Sequence, residues 1–154
     1  MRATWLWLVV VGACGAPASS DTVTFDPCAP LALDSSGATI EQAASIDDAI
    51  AMWRAQGVDQ LAHAPGGDLA VVFRDAASSI YGFYDDANAT VYVNSRLSDA
   101  EQRAITVAHE VGHALGLVHV DAADRASVMN PGNLAIAPTA EDEQALARLW
   151  GSCR

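Results

Sequence analysis

The 154-residue chain has no lysine. Its positive charge rests on eight arginines, set against 19 acidic side chains, and the net charge is −11. A surface this acidic repels phosphate backbones and anionic headgroups, which excludes nucleic acid and electrostatic adhesion to membranes. Long hydrophobic runs are also missing. The apolar run Trp5–Val11 is far short of the ~20 residues that span a bilayer. Cysteine is too scarce for a disulfide-built scaffold: Cys14, Cys28 and Cys153 are the only three. Histidine is nearly as scarce, yet three of its four copies fall between positions 109 and 119. What is present is 51% apolar residues, enough for one globular domain with a core.

The first residues have the form of an export signal. Met1-Arg2 gives a positive start, the apolar run follows, and residues 1–13 make up the signal peptide. Val11-Gly12-Ala13-Cys14 resembles a bacterial lipobox, which would make Cys14 the lipidated first residue of an envelope lipoprotein. Ala16-Pro17-Ala18 offers a second cleavage pattern that would release a soluble, secreted protein. The lipoprotein reading is favoured because a cysteine closes the apolar run. In either case Cys28 and Cys153 remain as an even pair in an oxidising compartment, and a disulfide between them would join the two ends of the domain.

Residues 14–38, rich in Ala, Pro, Ser and Asp, have the composition of an anchor and linker, and residues 39–154 hold the domain. Ile46, Ala49, Ile50 and Trp53 recur at helical spacing, and Gly57 ends that run. Trp53 belongs to the core on this pattern. His63 lies in Ala-His-Ala-Pro-Gly-Gly, a loop sequence, and is expected to be solvated. Residues 69–73, 80–84 and 90–94 have strand character, with a turn at Asp85–Asn88. Ser98-Asp99-Ala100-Glu101 has the form of a capping box that opens a helix over 99–115. Thr139–Asp142 caps a final helix, whose Leu146, Leu149 and Trp150 are predicted to face the core.

The helix over 99–115 carries the chemistry. His109 and His113 are four apart, so they lie on one helical face about one turn apart and can grip one metal ion. Glu110 follows the first of them, where a carboxylate can take a proton from an activated water. On a continuous helix His119 would be roughly 15 Å from His109 along the axis. It joins them only if the helix stops and the chain turns back, and Gly116 can supply that stop. Three protein ligands leave one tetrahedral position open, the arrangement of a catalytic zinc.

His109-Glu110-Val111-Gly112-His113-Ala114-Leu115-Gly116-Leu117-Val118-His119 resembles the HExxHxxGxxH signature of the metzincin metallopeptidases. Ser127-Val128-Met129-Asn130-Pro131 resembles their Met-turn, which would put Met129 beneath the three histidines as an apolar floor. Residues 138–151 are similar to the closing helix of the matrixin branch. The resemblance implies an α+β zincin fold: a twisted, mostly parallel sheet with three helices, and an active-site helix ended at Gly116. It implies one zinc ion on His109, His113 and His119, and a zinc endopeptidase with Glu110 as base, acting as a monomer on peptide or protein substrates. A peptide would add to the sheet edge, for which residues 80–84 are the candidate. Asp26-Pro27-Cys28-Ala29-Pro30 faintly resembles the matrixin cysteine switch, a second role for Cys28. The alternative to an enzyme is a zinc-stabilised surface module that binds protein without cutting it.

The anchor has a direct test. A lipidated Cys14 sends the protein into the detergent phase and labels it with a fatty-acid analogue, and Cys14→Ser abolishes both. A mature N-terminus at Ser19 shows secretion instead.

Overall fold

Alternation of buried and exposed side chains sets the sheet. The computed structural model describes residues 23–153. Strands β1 (Leu31–Asp34), β2 (Leu61–His63), β3 (Leu69–Arg74), β4 (Gly82–Asp85) and β5 (Thr90–Asn94) form one sheet in the order β2-β1-β3-β5-β4. All neighbours are parallel except β4, which runs antiparallel to β5. Leu31, Leu33, Leu69, Val71, Val91 and Val93 point to one face and are buried there. The other face carries Val72, Tyr92 and Phe83, with the Arg74 guanidinium 4.0 Å above the Tyr92 ring.

Two helices cover the buried face. In α1 (Ile40–Arg54) the buried residues include Ile46, Ala49, Ile50 and Trp53, the spacing expected of an inward stripe. Thr39 caps it in a reciprocal box with Gln42. The second helix, α2 (Ala100–Ala114), is buried along almost its whole length. Trp53 Nε1 donates to the Ala108 carbonyl at 3.0 Å, so the α1 tryptophan lies directly against the helix that carries the histidines. The third helix, α3 (Ala140–Trp150), closes the chain. None of the described helices is long and apolar enough to cross a membrane.

The α+β fold, with its mostly parallel sheet and three helices, is the one the sequence implies. Several local expectations are corrected. Residues 31–34, read as part of the linker, form β1, which pairs with both β2 and β3. A short strand between two others needs few residues, and the flanking Pro, Ser and Asp masked it. His63 is in β2 rather than a solvated loop: Ser35 Oγ lies 2.6 Å from its Nε2, and its Nδ1 is 2.7 Å from Asp47. This polar chain ties β1, β2 and α1 at the sheet edge remote from β4. The cap of α2 is Asp99, which accepts from the Gln102 N–H. Ser98 instead turns its carbonyl to the buried Arg103. In α3 only Leu146 of the three expected core residues is buried, while Leu149 and Trp150 lie at the surface. Trp150 still donates its Nε1–H to the Leu115 carbonyl at the end of α2. The signal peptide and Cys14 lie outside the described residues.

Cys28 and Cys153 are bonded, across a separation of 125 residues. The bond clasps the segment entering β1 to the end of α3 and excludes a free Cys28 thiolate for the switch role. On a chain-entropy account, closing so long a loop stabilises the fold by about 4–5 kcal/mol. The Cys28→Ser/Cys153→Ser double variant should lose roughly that amount in urea titrations. An unchanged midpoint would mean that the ends are held by packing alone.

Candidate metal centre and its cleft

The site begins with the way α2 ends. Gly116 takes φ +93°, a conformation costly for any side chain with Cβ. Gly116 N–H bonds to the His113 carbonyl and Leu117 N–H to the Gly112 carbonyl, both at 2.9 Å. This pair of bonds is a Schellman closure. The chain then reverses, and Val120 N–H reaches the Met129 carbonyl at 3.0 Å while Asn130 Nδ2 donates to the Val120 carbonyl at 2.9 Å. Val120 is thereby clamped to the Met-turn, which places its neighbour His119 opposite the helix.

The three histidines come together. His119 Nε2 lies 3.1 Å from His109 Nε2 and 3.2 Å from His113 Nε2. The other ring nitrogens fix the tautomers of two of them. His109 Nδ1 is 2.6 Å from the Val128 carbonyl, and His113 Nδ1 is 2.9 Å from the Leu117 carbonyl. A carbonyl only accepts, so each Nδ1 carries the proton and each Nε2 offers a lone pair. Burial pulls the pKa of His109 down to about 4 and lowers that of His113, with the neighbouring histidines adding to both effects. Both rings are therefore neutral at physiological pH, the form that ligates metal.

The donor set fits zinc. Nitrogen ligands at about 2.0–2.1 Å around a tetrahedral ion stand about 3.3 Å from one another, close to the spacings seen here. Converging lone pairs repel unless a cation sits between them. The two carbonyls behind His109 and His113 supply the outer hydrogen bonds that metal-bound imidazoles require.

Two glycines let other elements close on this helix. A Cβ at Gly112 would lie 2.4 Å from Met129 Sδ, so the thioether occupies the space beneath the helix where other residues have a side chain. Met129 is fully buried there. A Cβ at Gly82 would lie 2.7 Å from both Glu110 Oε1 and Thr106 Cγ2. The backbone of β4 therefore passes directly against the Glu110 carboxyl. Burial pushes that carboxyl up to about 7, and the Tyr84 N–H counters it in part. A dication held by the histidines would favour its charged form.

The cleft of about 750 Å³ runs between β4 and the Met-turn, lined by Ile80–Tyr84 on one side and Pro131–Asn133 on the other, with the histidines and Glu110 at its base. β4 is the free edge of the sheet, as expected for residues 80–84. Asn94 positions the approach to β4 by donating to the carbonyls of Ala77 and Ile80. The Met-turn hangs from buried Asp142, which accepts from Arg125, Ser127, the Val128 N–H and the Thr139 N–H. Asn94, Thr106 and Gly82 were not singled out from the sequence, and Asp142 was read there only as a capping acid. Of the first three, only Gly82 left a sequence signal, as a lone glycine inside an aromatic strand.

Residues 16–143 match the family described as metallo-peptidase family M12B, reprolysin-like. The chain belongs to that family. Among solved structures, one of myroilysin aligns with a TM-score of 0.64 at 14% identity, over 84% of this chain and 96% of that one. A second, a crystal structure of myroilysin, gives 0.61 at 12% identity over 86% and 87%. At these identities the likeness is one of fold. No curated protein matches the sequence. This metallopeptidase shares the metzincin-like architecture inferred from its motif, and its three-histidine group fits a zinc ion.

Asp142 gives the Met-turn a pH dependence. Desolvation works to raise its pKa, but the hydrogen bonds from Ser127, Arg125, Thr139 and Val128 outweigh it and hold the group below the ordinary value. A depressed carboxylate stabilises the fold above its unfolded pKa of about 4 and loses that contribution as pH falls through the folded value. Wild type should be more stable than Asp142→Asn at pH 7, with the gap closing below pH ~4 in thermal melts. A constant gap would show that the charge of Asp142 does not matter.

Proposed function

We propose that this metallopeptidase is a zinc-dependent endopeptidase in which Glu110 is the general base and His109, His113 and His119 hold the metal. The observation that carries the reading is the convergence of three imidazole nitrogens beside a buried carboxylate, at the base of a cleft along a free strand edge. Zinc bound there supplies Lewis acidity, bringing the pKa of a water to about 7 and polarising the scissile carbonyl.

The chain's own groups do the rest. Glu110, held between Gly82 and Thr106, takes a proton from the attacking water. The water oxygen adds to the carbonyl carbon, the C–N bond breaks, and Glu110 returns the proton to the leaving amine. The exposed edge of β4 offers backbone groups to an extended peptide, which would lie across the cleft as a sixth strand. Met129 and the Asp142 hydrogen bonds keep the lower wall rigid, so the ligand geometry does not relax between turnovers. Within the metzincins, the Met-turn and the segment from Pro138 to Gly151 support a matrixin-like relationship, while the family match names the reprolysin-like branch. The enzyme acts as a monomer at the cell envelope, held by a lipid on Cys14.

Ligands and base should fail differently. His119→Ala leaves two imidazoles, and zinc content and thermal stability should both fall. Glu110→Gln keeps all three ligands, so zinc stays near one per chain while cleavage of a denatured protein drops by roughly 10²–10⁴-fold. Full activity in a zinc-loaded Glu110→Gln chain would remove Glu110 from the role of base. A zinc-replete wild type that binds peptide but never cuts it would make the protein a binding module.

A further inference from the structure

The cleft is unusual in its charge. Outside the metal site and Glu110, the only acidic or basic side chain in its lining is Asp86, at the end of β4. None of the described arginines lines it. Arg54 donates to the Leu61 carbonyl, Arg103 is buried under α2, Arg125 is committed to Asp142, and Arg96 to Asp75. Arg74 stands over Tyr92 on the open face of the sheet, in a neighbouring hollow. With no lysine in the chain, no basic side chain among the described residues faces an acidic substrate group in the cleft away from the metal site.

The rest of the lining is uncharged, and its rim carries exposed apolar side chains. Ile80 is 50% accessible, Phe83 56% and Val118 75%. Isolated exposed hydrophobics need no explanation, but these three rim one cleft. Ile80 and Phe83 flank Gly82, whose backbone touches Glu110. Side chains of a bound strand would meet these groups on either side of the bond to be cut. At the β4 end the potential is negative: Asp85 and Asp86 add to burial in pushing the Tyr84 hydroxyl up to about 12. Among the described residues no cation pairs with Asp86. Beyond the cleft, the field of a chain with net charge −11 favours approach of cationic partners and opposes acidic ones.

We propose that the cleft selects extended segments that are apolar at the bond to be cut and cationic beside it, and rejects acidic ones, with Asp86 as a specificity-determining residue. The proposal rests on the peptidase reading above. Discrimination has two parts: attraction of a basic side chain to Asp86, and the absence of any partner for an acidic one. The first is an exposed interaction and is screened by salt over about 10 Å at 0.1 M. The second persists where the peptide is desolvated against Phe83 and Ile80.

Two internally quenched peptides test it. They share an apolar core and are flanked by arginines in one and glutamates in the other. The arginine peptide should show about tenfold higher kcat/KM at low ionic strength, with the ratio narrowing as salt rises. Asp86→Arg, with zinc content unchanged, should shrink the ratio severalfold. Equal rates for the two peptides, or a ratio indifferent to Asp86→Arg, would overturn the proposal. Fluorescence anisotropy on zinc-loaded Glu110→Gln separates it from the peptidase reading. If the wild type cleaves neither peptide but Glu110→Gln binds the arginine one more tightly, the peptidase reading fails and the selectivity stands. If binding is equal as well, both fail.

Discussion

Three imidazole nitrogens converge, His119 Nε2 lying 3.1 and 3.2 Å from those of His109 and His113, and two of the three have lone pairs fixed by their hydrogen bonds, an arrangement that one shared cation would satisfy. Much of the local structure serves to keep it. The Val128 and Leu117 carbonyls set the tautomers, and both belong to segments that exist because the helix has ended. The Schellman closure at Gly116 reverses the chain, the clamp on Val120 brings His119 back, and Asp142 holds the Met-turn in reach of His109. The binding energy of a metal held there would in this sense be folding energy for the lower part of the domain.

A second constraint is close approach. The active-site helix has neighbours that ordinary side chains would hold off. Met129 fills the space left by Gly112, and the Glu110 and Thr106 side chains of the helix fill the space left by Gly82 in β4. Trp53 packs from the α1 side and satisfies its indole N–H on Ala108. The helix is thus gripped from three directions, and Glu110 is confined between a strand edge and a threonine methyl. In the proposed role of base, a carboxyl so confined would need little reorganisation during turnover, which is the basis of preorganised catalysis. A cleft with an apolar rim and a single acidic group beyond the metal site follows from the same placement, since the edge strand that touches Glu110 and the residues flanking it present Ile80, Phe83 and Asp86.

The site was legible in the sequence because its spacing encodes its geometry. A four-residue step between two histidines fixes a helical face, and a glycine before the third histidine marks the turn. The cysteine pairing followed from the count left in an exported chain, and the edge at 80–84 from the family resemblance. What was not legible depends on distant parts of the chain. Leu31–Asp34 became an inner strand through pairing with residues 30 and more positions away. His63 found Asp47 and Ser35 only once α1 had packed. Asp142 looked like a helix-capping acid, and it is one, yet its buried contacts with Ser127 and Val128 come from a loop whose path no periodicity announces. Leu149 and Trp150 kept the spacing of a buried stripe on a helix that has too little sheet behind it to bury them.

The central claim is that one zinc ion is held by three imidazoles with a fourth position left to solvent. Zinc-edge X-ray absorption on the purified, zinc-replete protein tests it most directly. The account predicts one zinc per chain, with three imidazole nitrogens and one further light ligand at about 2.0–2.1 Å. A sulfur ligand at about 2.3 Å, or a shell with fewer than three imidazoles, would contradict it.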